Sequence, residues 1–271
     1  VLLVTGGGKG ITAECAYVLA RESGASLALL GRSRPEADEE LASNLKRLAT
    51  AGIRFKYCLA DVGEAAAVQA AVRAAEGELG KVTAVLHGAG ANEPKAVSTL
   101  EESDFRRTLL PKVQGLRNVL AAIQPEALRC LITFGSIIAR AGLHGEADYA
   151  VANEWQTLMT ERFQRAYPQC RCLAIEWSVW SGLGMGQRLG RLETLIQHGI
   201  TPIPPDQGVA WLLRLLRQPP ASTAVVVTGR YGDSPVLKPE PTQLPFARFI
   251  EQTQVFHPDV ELIVDATLSA E

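Results

Sequence analysis

The sequence is poor in residues that build metal or redox centres. Four histidines and five cysteines occur in 271 residues, and no CxxC pair or His/Cys cluster gathers them. Cys15, Cys58, Cys130, Cys170 and Cys172 are odd in number, and most sit in apolar contexts. Buried thiols in a reducing cytoplasm are therefore expected rather than a disulfide framework. An excess of one charge is also missing. Lys and Arg total 27 against 29 Asp and Glu, a net charge of −2. That excludes the broad basic field that holds nucleic acid or an anionic membrane. No apolar run approaches the roughly 20 residues of a membrane-spanning helix, and no signal peptide opens the chain. The start, Val1-Leu2-Leu3-Val4, lacks methionine and is already strand-like, which reads as a segment of a longer polypeptide.

What is present is an ordinary globular balance, 47% hydrophobic and 21% charged, able to bury a large core. Short apolar runs at 1–4, 27–30, 54–59, 82–87, 130–134, 172–177 and 224–228 read as seven strands. They are nearly continuous in apolar residues, as strands covered on both faces must be. Amphipathic segments at 10–23, 36–51, 64–78, 101–123, 147–167 and 205–218 read as helices between them. Strict alternation predicts an α/β Rossmann-like, doubly wound parallel sheet with helices on both faces. Ligands of such sheets bind at the carboxyl ends of the strands. From residue 233 the composition changes, with Pro235, Pro239, Pro241 and Pro245 in close succession. We expect a nucleotide-binding domain over 1–233 and a proline-rich linker or docking tail over 234–271. Within the tail, 246–256 reads as a short helix. Val260, Leu262 and Val264, alternating with Glu261 and Asp265, read as a half-buried strand.

The first strand runs into Thr5-Gly6-Gly7-Gly8-Lys9-Gly10-Ile11-Thr12. A glycine-rich turn feeding a helix lets backbone N–H groups approach a pyrophosphate. Thr12 stands where a third glycine is expected, so it crowds the loop or lends its hydroxyl to a phosphate. The second strand ends in Arg32-Ser33, with no acidic residue to receive a ribose 2′-hydroxyl. A cation and a hydroxyl there suit the 2′-phosphate of NADPH, with a solvated surface arginine as the lesser alternative. Asp61, before Val62, either accepts from the adenine amino group or caps the next helix. His87-Gly88-Ala89-Gly90 ends the fourth strand with small residues beside which a cofactor can pass.

Ser136 closes the fifth strand. Tyr149 follows thirteen positions later, and Asn153 shares its helix face at i+4. A phenol needs nearby donors or a cation to act near neutral pH, and Lys112 is a candidate. Pro111 just before it lacks an N–H and should disturb that helix, freeing a carbonyl for a water.

Thr-Gly-x-x-x-Gly, His-Gly-Ala-Gly and the Ser136–Tyr149 spacing resemble the short-chain dehydrogenase/reductase family. Most members carry a lysine four positions after the tyrosine and an asparagine in the preceding helix. Here Asn153 and Lys112 stand the other way round, which resembles the ketoreductase domains of type I polyketide synthases. The segment from Glu176 to Met185 resembles theirs too. The Gly-Gly-Gly-Lys-Gly-Ile-Thr loop is similar to that of iterative synthases of the enediyne or polyunsaturated fatty acid kind. The resemblance implies NADPH-dependent reduction of a β-ketoacyl thioester carried on the phosphopantetheine arm of an acyl carrier protein. It implies neighbouring synthase domains, with the tail leading into a dehydratase. Tyr149 is then the proton donor and Ser136 the carbonyl's hydrogen-bond donor. Lys112 lowers the tyrosine pKa and relays protons, and Asn153 orients the network. Met185 to Gly199 reads as a lid over the substrate. His144 either touches substrate or is an ordinary loop residue. Trp177 and Trp180 either wall the pocket or pack the core. Markers that correlate with product handedness in such domains are missing, since Ala91-Asn92-Glu93-Pro94 and Ala141 stand in their places. A free-standing reductase of small ketones and a degenerate structural domain are the competing readings.

Overall fold

A computed structural model describes residues 1–184, 196 and 200–229, together with the backbone of 252–257 and 261–265. Seven parallel strands form one sheet in the order β3-β2-β1-β4-β5-β6-β7. They are β1 Leu2–Thr5, β2 Leu27–Gly31, β3 Phe55–Leu59, β4 Ala84–His87, β5 Cys130–Ser136, β6 Arg171–Trp177 and β7 Ala224–Val227. The order reverses between β1 and β4. That switch point opens the crevice where open α/β sheets bind their ligands.

The strands are apolar on both faces because both are covered. In β1, Leu2 and Val4 join one buried cluster while Leu3 joins the other. The first cluster takes in α1 (Gly10–Ser23), α2 (Glu39–Thr50) and α8 (Pro205–Arg217). The second takes in α3 (Ala65–Leu79), α5 (Gly115–Ala122) and α7 (Ala147–Ala166). Leu3, Leu27, Leu30, Leu86, Leu131 and Ile175 are fully buried, each worth about 1.5–3 kcal/mol of apolar transfer.

The segment expected as one helix over 101–123 is three pieces. Helix α4 (Glu102–Leu109) starts with a capping box between Glu101 and Asp104. A π-turn, Leu110–Gln114, follows, and then α5. The Gly115 N–H bonds Leu110 O, five residues back. Pro111 has no N–H to give an α-helical ladder, so the disturbance expected of it is present. Helix α6 is a single turn, Ile138–Ala141.

In the tail, β8 (Gln252–His257) and β9 (Glu261–Asp265) form an antiparallel pair. The alternation that includes Leu262 and Val264 is met by β9, while Val260 lies outside the described residues. The short helix expected over 246–256 is overturned at 252–256, where Thr253, Val255 and Phe256 pair in a strand, and its first part, 246–251, lies outside the described residues. Among the described residues no helix is long and apolar enough to cross a membrane.

Candidate active site

The crevice edge carries the nucleotide residues. Gly6 has φ 67°, and a Cβ there would lie 2.9 Å from Gly88 O. Thr12 is buried, and a Cβ on Gly88 would lie 2.2 Å from its Oγ1. The β-branched residue does not crowd the loop, because its side chain fills the space a Gly88 side chain would need. Gly8 packs on Leu41 and accepts from Asn44 Nδ2 at 2.9 Å. The Gly10 amide donates to Glu40 Oε1 at 2.8 Å, so anionic oxygen already sits at the first turn of α1. Ile11 follows on that turn, partly buried against Gly184.

At the end of β2, Lys9 Nζ donates to Ser33 Oγ at 3.2 Å and to Asp38 Oδ2 at 2.6 Å. That contact holds the Asp38 carboxyl down at about 2. Arg32 is largely exposed, 3.6 Å from Asp61 Oδ2. Lys9, Arg32 and Ser33 thus put two cations and a hydroxyl at one strand end, a donor set that fits the 2′-phosphate of NADPH. Asp61 does not cap α3. Its Oδ1 accepts from Gly63 N at 2.8 Å, and the N-cap is Glu64. Val62 is buried, with its carbonyl accepting from Asn118 Nδ2 at 2.8 Å.

Two residues expected at the cofactor lie deeper. The His87 ring is fully buried, with Nδ1 2.8 Å from Thr5 Oγ1, which also accepts weakly from Ala89 N at 3.4 Å. Burial holds the imidazole neutral, down at about 3. Thr5 and His87 therefore brace β1 against β4, while Gly88, Ala89 and Gly90 supply the narrow backbone edge.

The chemical residues gather around the carboxyl end of β5. Ser136 is its last residue, with Oγ 3.3 Å from the Ile138 amide. Tyr149, Asn153 and Gln156 lie on the buried face of α7. Lys112 enters from the π-turn, with Nζ donating to Phe134 O at 2.9 Å. Gln156 Nε2 reaches the same carbonyl at 3.0 Å. Lys112 Nζ lies 5.7 Å from the centre of the Tyr149 ring. Asn153 Nδ2 donates to Tyr149 O at 2.7 Å. Among the described residues, Asn153 Oδ1 and Gln156 Oε1 are buried acceptors without a protein donor.

Burial pushes Lys112 down to about 7. It pushes Tyr149 up to about 12, opposed by the Asn153 side chain and reinforced by Glu146. The expectation that Lys112 lowers the tyrosine pKa is not what this geometry gives, since the ammonium is turned to Phe134 O and desolvation dominates the phenol. Gln156 was missed in the sequence, although it lies one turn beyond Asn153 on the same face.

Trp177 packs in the core. It is buried, edge-on to Phe134 at 5.7 Å and to Trp180 at 5.1 Å between ring centres. His144 is exposed in the loop between α6 and α7. Met185 and most of the expected lid, 185–199, lie outside the described residues.

Residues 1–182 match the family model described as "KR domain". The chain belongs to the KR domain family. Polyketide synthase PksN of Bacillus subtilis (strain 168) is 30% identical over 220 residues, covering 79% of this KR chain and 4% of that protein. Erythronolide synthase EryA3 of Saccharopolyspora erythraea is 35% identical over 230 residues, covering 83% of this chain and 7% of that protein. The KR chain therefore spans a small fraction of each of these relatives. An N-terminal ketoreductase from the macrolactin assembly line superposes with a TM-score of 0.73 at 25% identity, over 86% of this chain and 44% of that one. All the residues that KR membership brings into question, Ser136, Tyr149, Asn153 and Lys112, fall inside the matched span.

Proposed function

We propose that this chain is an NADPH-dependent reductase of β-ketoacyl thioesters borne by acyl carrier protein, working inside a polyketide or fatty acid synthase. The observation that carries the reading is the convergence of Ser136, Tyr149, Asn153 and buried Lys112 at the carboxyl end of β5. Lys9, Arg32 and Ser33 would hold the 2′-phosphate of NADPH, which when bound would supply the hydride for the carbonyl carbon. Tyr149 is a neutral phenol at physiological pH, as a proton donor must be, and protonates the alkoxide oxygen. The Ser136 hydroxyl, presented at the strand end, hydrogen-bonds that oxygen while charge develops. Lys112, pushed down to about 7, holds or releases a proton near neutral pH and resupplies Tyr149. Asn153, whose Nδ2 donates to the Tyr149 backbone carbonyl, orients the residues around the phenol.

The domain division at residue 233, a dehydratase beyond it, an iterative synthase as parent and a cytoplasmic location belong to the same proposal. Carrier-bound and free substrates discriminate the site's role. With NADPH, a β-ketoacyl carrier-protein thioester should be reduced with a kcat/KM well above that of a small free ketone, followed through nicotinamide absorbance. Equal values would assign the chain to small ketones, and no turnover of either would make it structural.

A further inference from the structure

The reductase reading leaves unused a buried carboxylate beside it. Glu176, on β6, is 1% exposed and pairs in register with Gly135, the residue before Ser136. Arg140, on the single turn that follows Ser136, forks onto it: Nε lies 2.7 Å from Oε2 and Nη2 lies 2.8 Å from Oε1. Arg140 Nη1 also lies 2.9 Å from Glu154 Oε2 on α7, one residue beyond Asn153. Thr157 Oγ1 donates to Glu176 Oε1 at 3.0 Å. A Cβ on Gly135 would sit 3.4 Å from Glu176 Cγ and 3.8 Å from Asn153 Oδ1, so this carboxylate lies against the backbone that presents Ser136.

The arrangement has a physical logic. A four-residue helical turn is too short to hold itself. Its flanking backbone bonds run from the Arg140, Ala141 and Gly142 amides to the Ile137 and Ile138 carbonyls. A planar guanidinium bonded at both ends of a carboxylate fixes orientation as well as distance. Two carboxylates on one arginine tie the turn to β6 and to α7, the elements that flank the site.

We propose that Glu176 and Arg140 form a positioning clamp that sets the Ser136 hydroxyl against Tyr149, so that the pair governs the geometry of reduction rather than cofactor binding. The inference rests on the reductase reading above. Neither residue touches the reacting atoms; each acts through the turn that follows Ser136.

The test compares Glu176→Gln, Arg140→Lys and the double variant with the wild type. Hydrogen exchange read by mass spectrometry over 136–146 needs no turnover. Each single change should speed exchange there while α7 peptides beyond 158 stay protected. In steady-state reduction of a β-ketoacyl pantetheine thioester, each should lower kcat by about 10- to 100-fold, the scale of a misplacement near 1 Å. NADPH Kd should be unchanged, the enantiomeric ratio of the alcohol should fall, and the double variant should be no slower than the slower single. Unchanged exchange over 136–146 would overturn the clamp, even if the wild type reduced nothing and the reductase reading failed with it. Variants that melt earlier but keep wild-type kcat and enantiomeric ratio would reduce Glu176 and Arg140 to stability alone.

Discussion

Lys112 is 2% exposed and turned toward Phe134 O, and that burial depresses its folded pKa from 10.5 to about 7. Between those values the unfolded chain binds one more proton than the folded one. Stability therefore rises with pH from about 7 to 10.5 on account of this group. Urea unfolding of Lys112→Met across that window should lack this rise, with its stability gain over the wild type largest at the acid end. A difference constant with pH would contradict the assigned protonation. Tyr149 and Asn153 were legible in the sequence because i and i+4 on a helix share a face. Lys112 was legible as a candidate cation and gained its role from the family resemblance, because spacing alone does not bring 112 to 149. The direction of the Tyr149 shift was not legible, since desolvation depends on what packs around the phenol. Nor was the burial of His87 and Trp177, two residues whose types suit a pocket as well as a core.

At the scale of elements, the helix α1 start and the β4 end form a matched pair. Thr12 occupies the space beside Gly88, where an added Cβ would come within 2.2 Å of its hydroxyl. Gly88→Ala should cost about 1–3 kcal/mol, the range for overpacking a filled site. In a Thr12→Gly background the same change should cost much less. Urea midpoints of the four chains check this, and equal costs in both backgrounds would show that Thr12 does not set the requirement. The sequence flagged Thr12 as a departure, but its compensation lies 76 positions away across the β1–β4 pairing. Pro111 was readable as a helix disturbance because its missing N–H is a local fact. The π-turn it accompanies, and the way that turn delivers Lys112, depend on packing that no local pattern states. Arg140 and Glu176 are 36 positions apart and meet only because β5 and β6 pair in register.

Across the whole molecule, the β-α alternation was enough to give the parallel sheet, because each strand had to be apolar on both faces and each crossover right-handed. It was not enough for 252–256, expected as the end of a short helix and found as a strand. The sheet's reversal between β1 and β4 places the NADPH-fitting edge and the Tyr149 site on the same carboxyl rim. Protonation of the product alkoxide at that rim is the role proposed for Tyr149. It is tested most directly by Tyr149→Phe, measured for NADPH binding by fluorescence and for turnover of a β-ketoacyl carrier-protein thioester. The NADPH Kd should be unchanged and kcat lower by at least about 10²-fold. Turnover at the wild-type rate by the phenylalanine variant would contradict it.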